Sequence, residues 1–175
     1  MMSPTEQDLA DLIRRSTEAN VALVRGDASG YFTLITHADD FTLMNPFGGG
    51  PTLGVDTSSE YRAAVGRFFK SGTFDQEVVA TYAGELVVLV TIERVCGEIG
   101  GLPEQEWSLR VTQVYRRDGS EWRLVHRHAD PLVHGVGVEQ AAALARPVTA
   151  EQRRESASSA AKARWAKTKR KKRLT

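Results

Sequence analysis

The chain has 175 residues, 41% apolar and 26% charged, which suits one globular domain able to bury its own core and argues against a disordered chain. No apolar run reaches the roughly eighteen residues of a membrane-spanning helix, and the opening "MMSPTEQDLA" lacks the basic start and apolar stretch of a secretory signal, so a cytoplasmic location is expected. Cys96 is the only cysteine, which excludes an internal disulfide and a cysteine-based zinc site; its strand-like setting "IERVCGEI" suits a packed, inert thiol better than a nucleophile.

The formal net charge of +1 conceals two parts of opposite sign. Residues 1–150 carry 13 Lys and Arg against 20 Asp and Glu, whereas residues 151–175 carry 10 against 2. An acidic body is therefore joined to a basic tail.

In chain order, "SPTEQDLADLIRRSTEANVALVRGD" opens with Ser3 as a cap, Pro4 at the first helical position and Glu6 able to reach back. Leu9, Leu12, Ile13, Ser16 and Leu23 then share a helical face, and Gly26 ends the helix. "ASGYFTLITHADD" reads as a second helix with Tyr31, Leu34 and Ile35 on its buried side, followed by a strand over "FTLMNP". The loop "FGGGPTLG" breaks that strand, and Gly48 to Gly50, with no Gly-Lys-Ser/Thr after them, read as a mobile rim and not a phosphate cradle.

"DTSSEYRAAVGRFFKSG" reads as a third helix, capped by Thr57 with Glu60, buried along Tyr61, Ala64, Val65 and Phe68, and stopped at Gly72. From there the pattern is that of strands: "TFDQEVVATYAG", "ELVVLVTIERVCGEIGG", "EQEWSLRVTQVYRRDG" and "SEWRLVHRHADP", separated by Ala-Gly, Gly-Gly and Asp-Gly turns. Helices first and long strands afterwards predict an α+β fold, a cone-shaped, curved antiparallel sheet packed on three N-terminal helices and enclosing a pocket.

Strict alternation along "WRLVHRHADP" places Trp122, Leu124, His126, His128 and Asp130 on one face, with Trp122 and Leu124 marking it as the inner one. Arg123, Val125, Arg127 and Ala129 fall on the other. On the preceding strands, Arg110 and Thr112 share a face, as do Ile92 and Arg94; with Arg94 and Arg110 inward the pocket is cationic and suits a carboxylate or an enolate. His126, His128 and Asp130 have the types of metal ligands, but spacing of this kind is common and no metal site is assigned. The plainer reading of His126 or His128 is a neutral core histidine, and that of Tyr31, Trp107 and Trp122 is core packing. Glu93 and Arg94 equally fit a structural ion pair.

The order of elements, with "LRVTQVYRRDGSEWRLVHRHADP" as its most specific part, resembles the nuclear transport factor 2-like superfamily over residues 5 to about 135, in particular its SnoaL-like and ketosteroid-isomerase-like members. The association domain of calcium/calmodulin-dependent kinase II is similar over the same stretch, including the turn Arg116 to Gly119 and the Trp–His–His alternation after it. This resemblance implies a cystatin-like α+β barrel over residues 1–146, a homodimer packed through the outer sheet face, and a cavity that serves some relatives as an active site. The family pattern favours Arg110 and Thr112 facing inward.

In "ADDFTLMNPFG" the position resembling the catalytic aspartate of ketosteroid isomerase is Asn45, and an amide cannot accept and return a proton as a carboxylate does. The helix-1 tyrosine of those enzymes is also absent, with Ala19 near its place; Asp39 and Asp40 lie close to the loop. Asn45 can still bind a carbonyl or hydroxyl through its two-sided amide.

The expected function is therefore that of a homodimeric small-molecule-binding protein, or a cofactor-independent isomerase, cyclase or hydratase acting on a small carbonyl or carboxylate compound. His126 or His128 would shuttle the proton, and Asn45, Arg94, Arg110, Thr112, Tyr31 and Trp122 would contact the ligand. The alternative is a non-catalytic dimerisation module whose tail, residues 147–175, offers dense positive charge around Trp165 to nucleic acid or an acidic partner. A solubilising role for that tail, or a nuclear-localisation role for "KTKRKKR", fits the same residues.

Overall fold

The computed structural model of the chain describes residues 4–133, 135 and 137–139, and the fold is carried by one compact unit, Met1–Val133. The expected boundary at residue 146 and the basic tail lie outside the described residues.

Helix α1 (Glu6–Val24) is capped by Thr5, not Ser3: the Thr5 hydroxyl accepts from the Asp8 backbone N–H at 3.0 Å, and the Asp8 carboxylate accepts from the Thr5 N–H at 2.8 Å. Asp8 thus fills the reciprocal role expected of Glu6. The helix buries Leu12, Ser16, Ala19, Asn20 and Val24, one stripe at helical spacing. Gly26 follows at φ +89°, and a Cβ there would lie 2.9 Å from the carbonyl oxygen of Gly66, so the turn needs glycine for its conformation and for its close approach.

Helix α2 (Ala28–Leu34), capped by Asp27, is shorter than its sequence pattern suggested. Strand β1 (His37–Met44) begins at His37 and not at Phe41, because pairing with a distant strand overrides the local helical spacing. Strand β2 (Thr52–Leu53) pairs with β1 inside the segment read as a loop. Helix α3 (Ser59–Phe68) is capped by Ser58, whose hydroxyl accepts from the Tyr61 N–H at 3.2 Å, in place of the expected Thr57 with Glu60. It ends at Phe68 because Phe69 already pairs with Ile99, so Gly72 lies within a strand and does not terminate the helix.

Strands β3 (Phe69–Ala83), β4 (Leu86–Ile99), β5 (Gln105–Asp118) and β6 (Glu121–Pro131) complete a six-stranded, curved and unclosed sheet of order β2-β1-β6-β5-β4-β3. All pairings are antiparallel except β1 with β6, which is parallel and departs from the purely antiparallel sheet expected.

One irregularity decides where the site falls. Val114 pairs with His126 and Tyr115 with Leu124, which leaves Val125 as an extra residue in β6. Such a bulge reverses the alternation of side chains beyond it. Before it, Trp122 and Leu124 enter a packed core with Leu12, Leu89 and Tyr115. After it, Arg127 and Ala129 turn inward, and His126, His128 and Asp130 face the other way.

Candidate functional site

Beyond the bulge the sheet and helices do not close on each other, and they leave a cavity of about 380 Å³, within the range of ligand sites. Its walls are mainly apolar, from Leu23, Val24, Val65, Phe68, Val95 and Leu109 among others. Its polar end is built on β4 and β6.

Glu93 shares the inner face of β4 with Val87, Leu89, Thr91 and Val95, all buried. Its side chain is 2% exposed, and its Oε2 accepts from Nη2 of Arg127 at 2.7 Å. Gln113 donates to the other Glu93 oxygen at 3.3 Å, while the Gln113 amide oxygen accepts from the hydroxyls of Tyr115 at 2.6 Å and Ser16 at 3.0 Å. This polar layer separates the packed core from the cavity and holds Arg127 from one side only. Nη1 of Arg127 is buried and has no hydrogen-bond partner among the described residues, an arrangement that native interiors rarely leave unsatisfied without a reason.

Two further groups face this end. The Tyr31 hydroxyl lies 3.4 Å from Nε2 of His37. Burial pushes the Tyr31 hydroxyl up to about 12, Glu93 adding to the shift and Arg127 opposing it, so the phenol remains a neutral donor. Burial likewise holds His37 down to about 4, against a backbone hydrogen bond to Ile35 that favours its charged form. Near neutral pH both rings are therefore uncharged, and among the described residues that line the cavity the charged ones are the paired Glu93 and Arg127.

Of the residues expected from sequence to contact a ligand, Tyr31 and Asn45 line the cavity. The Asn45 amide oxygen accepts from the Phe47 N–H at 2.9 Å, and its NH₂ is the donor it can offer a ligand. Trp122 is in the packed core, 5% exposed. The expected inward placement of His126, His128, Arg94, Arg110 and Thr112 is corrected by the register. His126 Nδ1 lies 2.7 Å from the Thr42 hydroxyl, His128 Nε2 lies 3.3 Å from Asp130, and Thr112 sits opposite His128, all on the outer face. Arg110 pairs there with Asp130 at 3.8 Å, and Arg94 with Glu77 at 2.6 Å and Asp75 at 3.5 Å.

The cavity is thus not lined by these two arginines; the guanidinium that reaches it belongs to Arg127, assigned by simple alternation to the opposite face. Glu93 carried a legible signal, since it shares the alternation of Val87, Leu89 and Val95, but the equally apolar Val88, Val90 and Ile92 masked which face was inner. His37 was hidden by the extended reading of α2.

The fold and this site define a class of protein: a curved sheet backed by three helices, with a ligand-sized cavity between them. The family model of the SnoaL-like domain matches residues 15–133, and the chain belongs to that family. No curated protein matches the chain.

Among solved structures, the chain is similar to a candidate dehydratase of the NTF2-like family from Streptomyces avermitilis (20% identity, 74% of this chain and 99% of that one, TM-score 0.59). It is also similar to a candidate calcium/calmodulin-dependent protein kinase type II association domain from Thiobacillus denitrificans (18%, 74% and 97%, 0.52). A third likeness is to a ketosteroid isomerase-like protein from Erwinia carotovora atroseptica (16%, 74% and 100%, 0.52). At these identities the likeness is one of fold. Among the described residues no helix is long and apolar enough to cross a membrane.

Proposed function

We propose that the domain binds a small, largely apolar molecule through a carbonyl oxygen, which accepts hydrogen bonds from Nη1 of Arg127 and the Tyr31 hydroxyl. The observation that carries this reading is the buried, unpartnered Nη1 of Arg127 at the end of an apolar cavity. Because Glu93 already neutralises Arg127, a second carboxylate would meet like charge in a poorly solvated site, and a neutral carbonyl is favoured over the carboxylate alternative.

If the bound molecule is turned over, the same two donors stabilise an enolate oxygen, and His37 takes the proton-shuttling role first assigned to His126 or His128. Cofactor-independent isomerisation, cyclisation or dehydration fits this set. Ligand-observed NMR against a panel of small ketones tests the reading: Arg127→Gln should weaken binding at least about tenfold while thermal melting shows a folded protein. Unchanged binding by that variant removes the proposal.

A second reading concerns the outer sheet face, where Val88, Val90, Ile92 and Val114 are partly exposed and bordered by the Arg94, Arg110 and Arg116 ion pairs. An apolar centre within a charged rim suits a homodimer, as the association-domain likeness also suggests. Sedimentation should show a dimer that Val90→Arg converts to monomer; a wild-type monomer at micromolar concentration overturns it. The tail is proposed to contact nucleic acid or an acidic partner, and salt-sensitive gel-shift binding lost in a chain ending at Arg146 is the expected result. Equal binding by the shortened chain contradicts that role.

A further inference from the structure

We infer that His126 and His128 make association through the outer sheet face proton-sensitive: two copies of this chain pair while these imidazoles are neutral and separate when they are protonated. This rests on the homodimer reading above. Through the ladder, His126 is level with Thr42 on β1, Val114 on β5, Val88 on β4 and Tyr82 on β3, and His128 is level with Met44, Thr112, Val90 and Ala80. Both histidines therefore stand in the two central rows of that face, whose other members are apolar or hydroxyl side chains without formal charge. Charge is confined to the rows on either side. In the next row, Asp130 and Arg110 are level with Ile92 and Glu77, and beyond it Arg94 is level with Asp75. Towards the other end, Arg116 is level with Arg123.

Each of these four arginines already has an acid of its own chain: Arg94 pairs with Glu77 and Asp75, Arg110 with Asp130, Arg116 with Asp40, and Arg123 with Glu121 and Asp118. A face neutralised within its own chain offers no net sign to an acidic or basic partner. It suits an identical copy, whose apolar centre and charged margins meet its own across a twofold axis.

Protonation upsets that balance at the centre. His126 Nδ1 lies 2.7 Å from the Thr42 hydroxyl, a neutral partner, and His128 Nε2 lies 3.3 Å from Asp130, the carboxylate that Arg110 also uses. The remaining acids near these rings are on β1, where Asp40 is held by Arg116 at 2.9 Å and Asp39 is exposed. A symmetric dimer brings four imidazoles into one apolar layer, where charging them adds desolvation to mutual repulsion. In the separated chains the half-exposed rings meet water, and Asp130 supports a charged His128. The associated form thus binds fewer protons than the separated chains, so its dissociation constant rises as pH falls through the range in which imidazoles gain charge.

The test is sedimentation equilibrium of the full chain at about pH 7.5 and about pH 5.5, with circular dichroism showing that the fold persists at both. The dimer dissociation constant should rise at least about a hundredfold in acid, about tenfold for each copy of a histidine that the dimer keeps neutral. The double variant His126→Gln/His128→Gln should stay dimeric at both pH values, and His126→Lys/His128→Lys should be a folded monomer at about pH 7.5. His37 lines the cavity and is unchanged in both variants, so its own titration is common to all three proteins. A wild-type dimer of equal affinity at the two pH values overturns the proton switch and leaves the homodimer standing. Acid separation that persists undiminished in the Gln variant overturns the assignment to these histidines. A wild-type monomer at both pH values overturns the homodimer reading and the switch with it.

Discussion

The two halves of β6 use one strand for opposite purposes. Before Val125, Trp122 and Leu124 are sealed into a core with Leu12, Leu89 and Tyr115; after it, Arg127 and Ala129 face a cavity. The packed half is apolar and closed on itself, whereas the open half carries a buried ion pair, two neutral titratable rings and an unsatisfied guanidinium nitrogen. The difference teaches that a single inserted residue lets one continuous strand serve both stability and recognition, by exchanging which face looks inward.

The comparison can be broken most severely at the Glu93–Arg127 pair. Glu93→Leu leaves a buried cation without its partner and should cost about 3–5 kcal/mol in urea unfolding. Arg127→Met combined with Glu93→Leu should recover much of that loss, because both desolvated charges are then gone, while ligand binding remains absent. In the packed half, Leu124→Ala should cost about 2–5 kcal/mol through lost burial and a residual cavity, with ligand affinity per folded molecule unchanged.

A pH-dependent difference separates the halves further. His37 titrates at about 4 in the folded protein against an ordinary value of 6.5, so the unfolded chain binds the extra proton between these values. Stability is then fully present above pH 6.5 and falls as pH drops towards 4, by up to about 3 kcal/mol. Urea midpoints at pH 7 and pH 4.5 should show the loss in the wild type, and His37→Phe should remove most of it. Tyr31 acts at the other extreme: with its hydroxyl raised to about 12, stability present below pH 10 is lost as pH climbs towards 12. Tyr31→Phe should flatten that alkaline decline. The smallest effect is expected outside the cavity, where Arg94→Ala breaks an exposed ion pair and should leave the urea midpoint nearly unchanged, with ligand binding untouched.

Much of the fold was legible because burial leaves a periodic trace. Leu12 and Ser16 mark the inner stripe of α1, and the long alternating runs of β4, β5 and β6 mark a sheet, each supported by turn glycines. Element boundaries were less legible where tertiary pairing overrode local pattern, as at His37 and Phe69. The site was legible only in part. Tyr31 lies on a helix whose buried side follows from local spacing, and Asn45 was reached through the ketosteroid isomerase resemblance, but Arg127 could not be found by alternation, since nothing in "WRLVHRHADP" announces that Val125 is unpaired. The same hidden residue puts His126 and His128 on the outer face, whereas Arg110 and Thr112 lie there by the unbroken alternation of β5, whose Leu109, Val111, Gln113 and Tyr115 are buried.

The unpaired Val125 turns Arg127, and not the two histidines, towards the cavity. One NMR titration of 2-acetylnaphthalene into the wild type, Arg127→Gln and the double variant His126→Ala/His128→Ala tests it directly. Arg127→Gln should weaken binding at least about tenfold, the worth of one hydrogen bond to a charged donor, and the histidine variant should keep wild-type affinity. Wild-type affinity in Arg127→Gln together with loss in the histidine variant would contradict it.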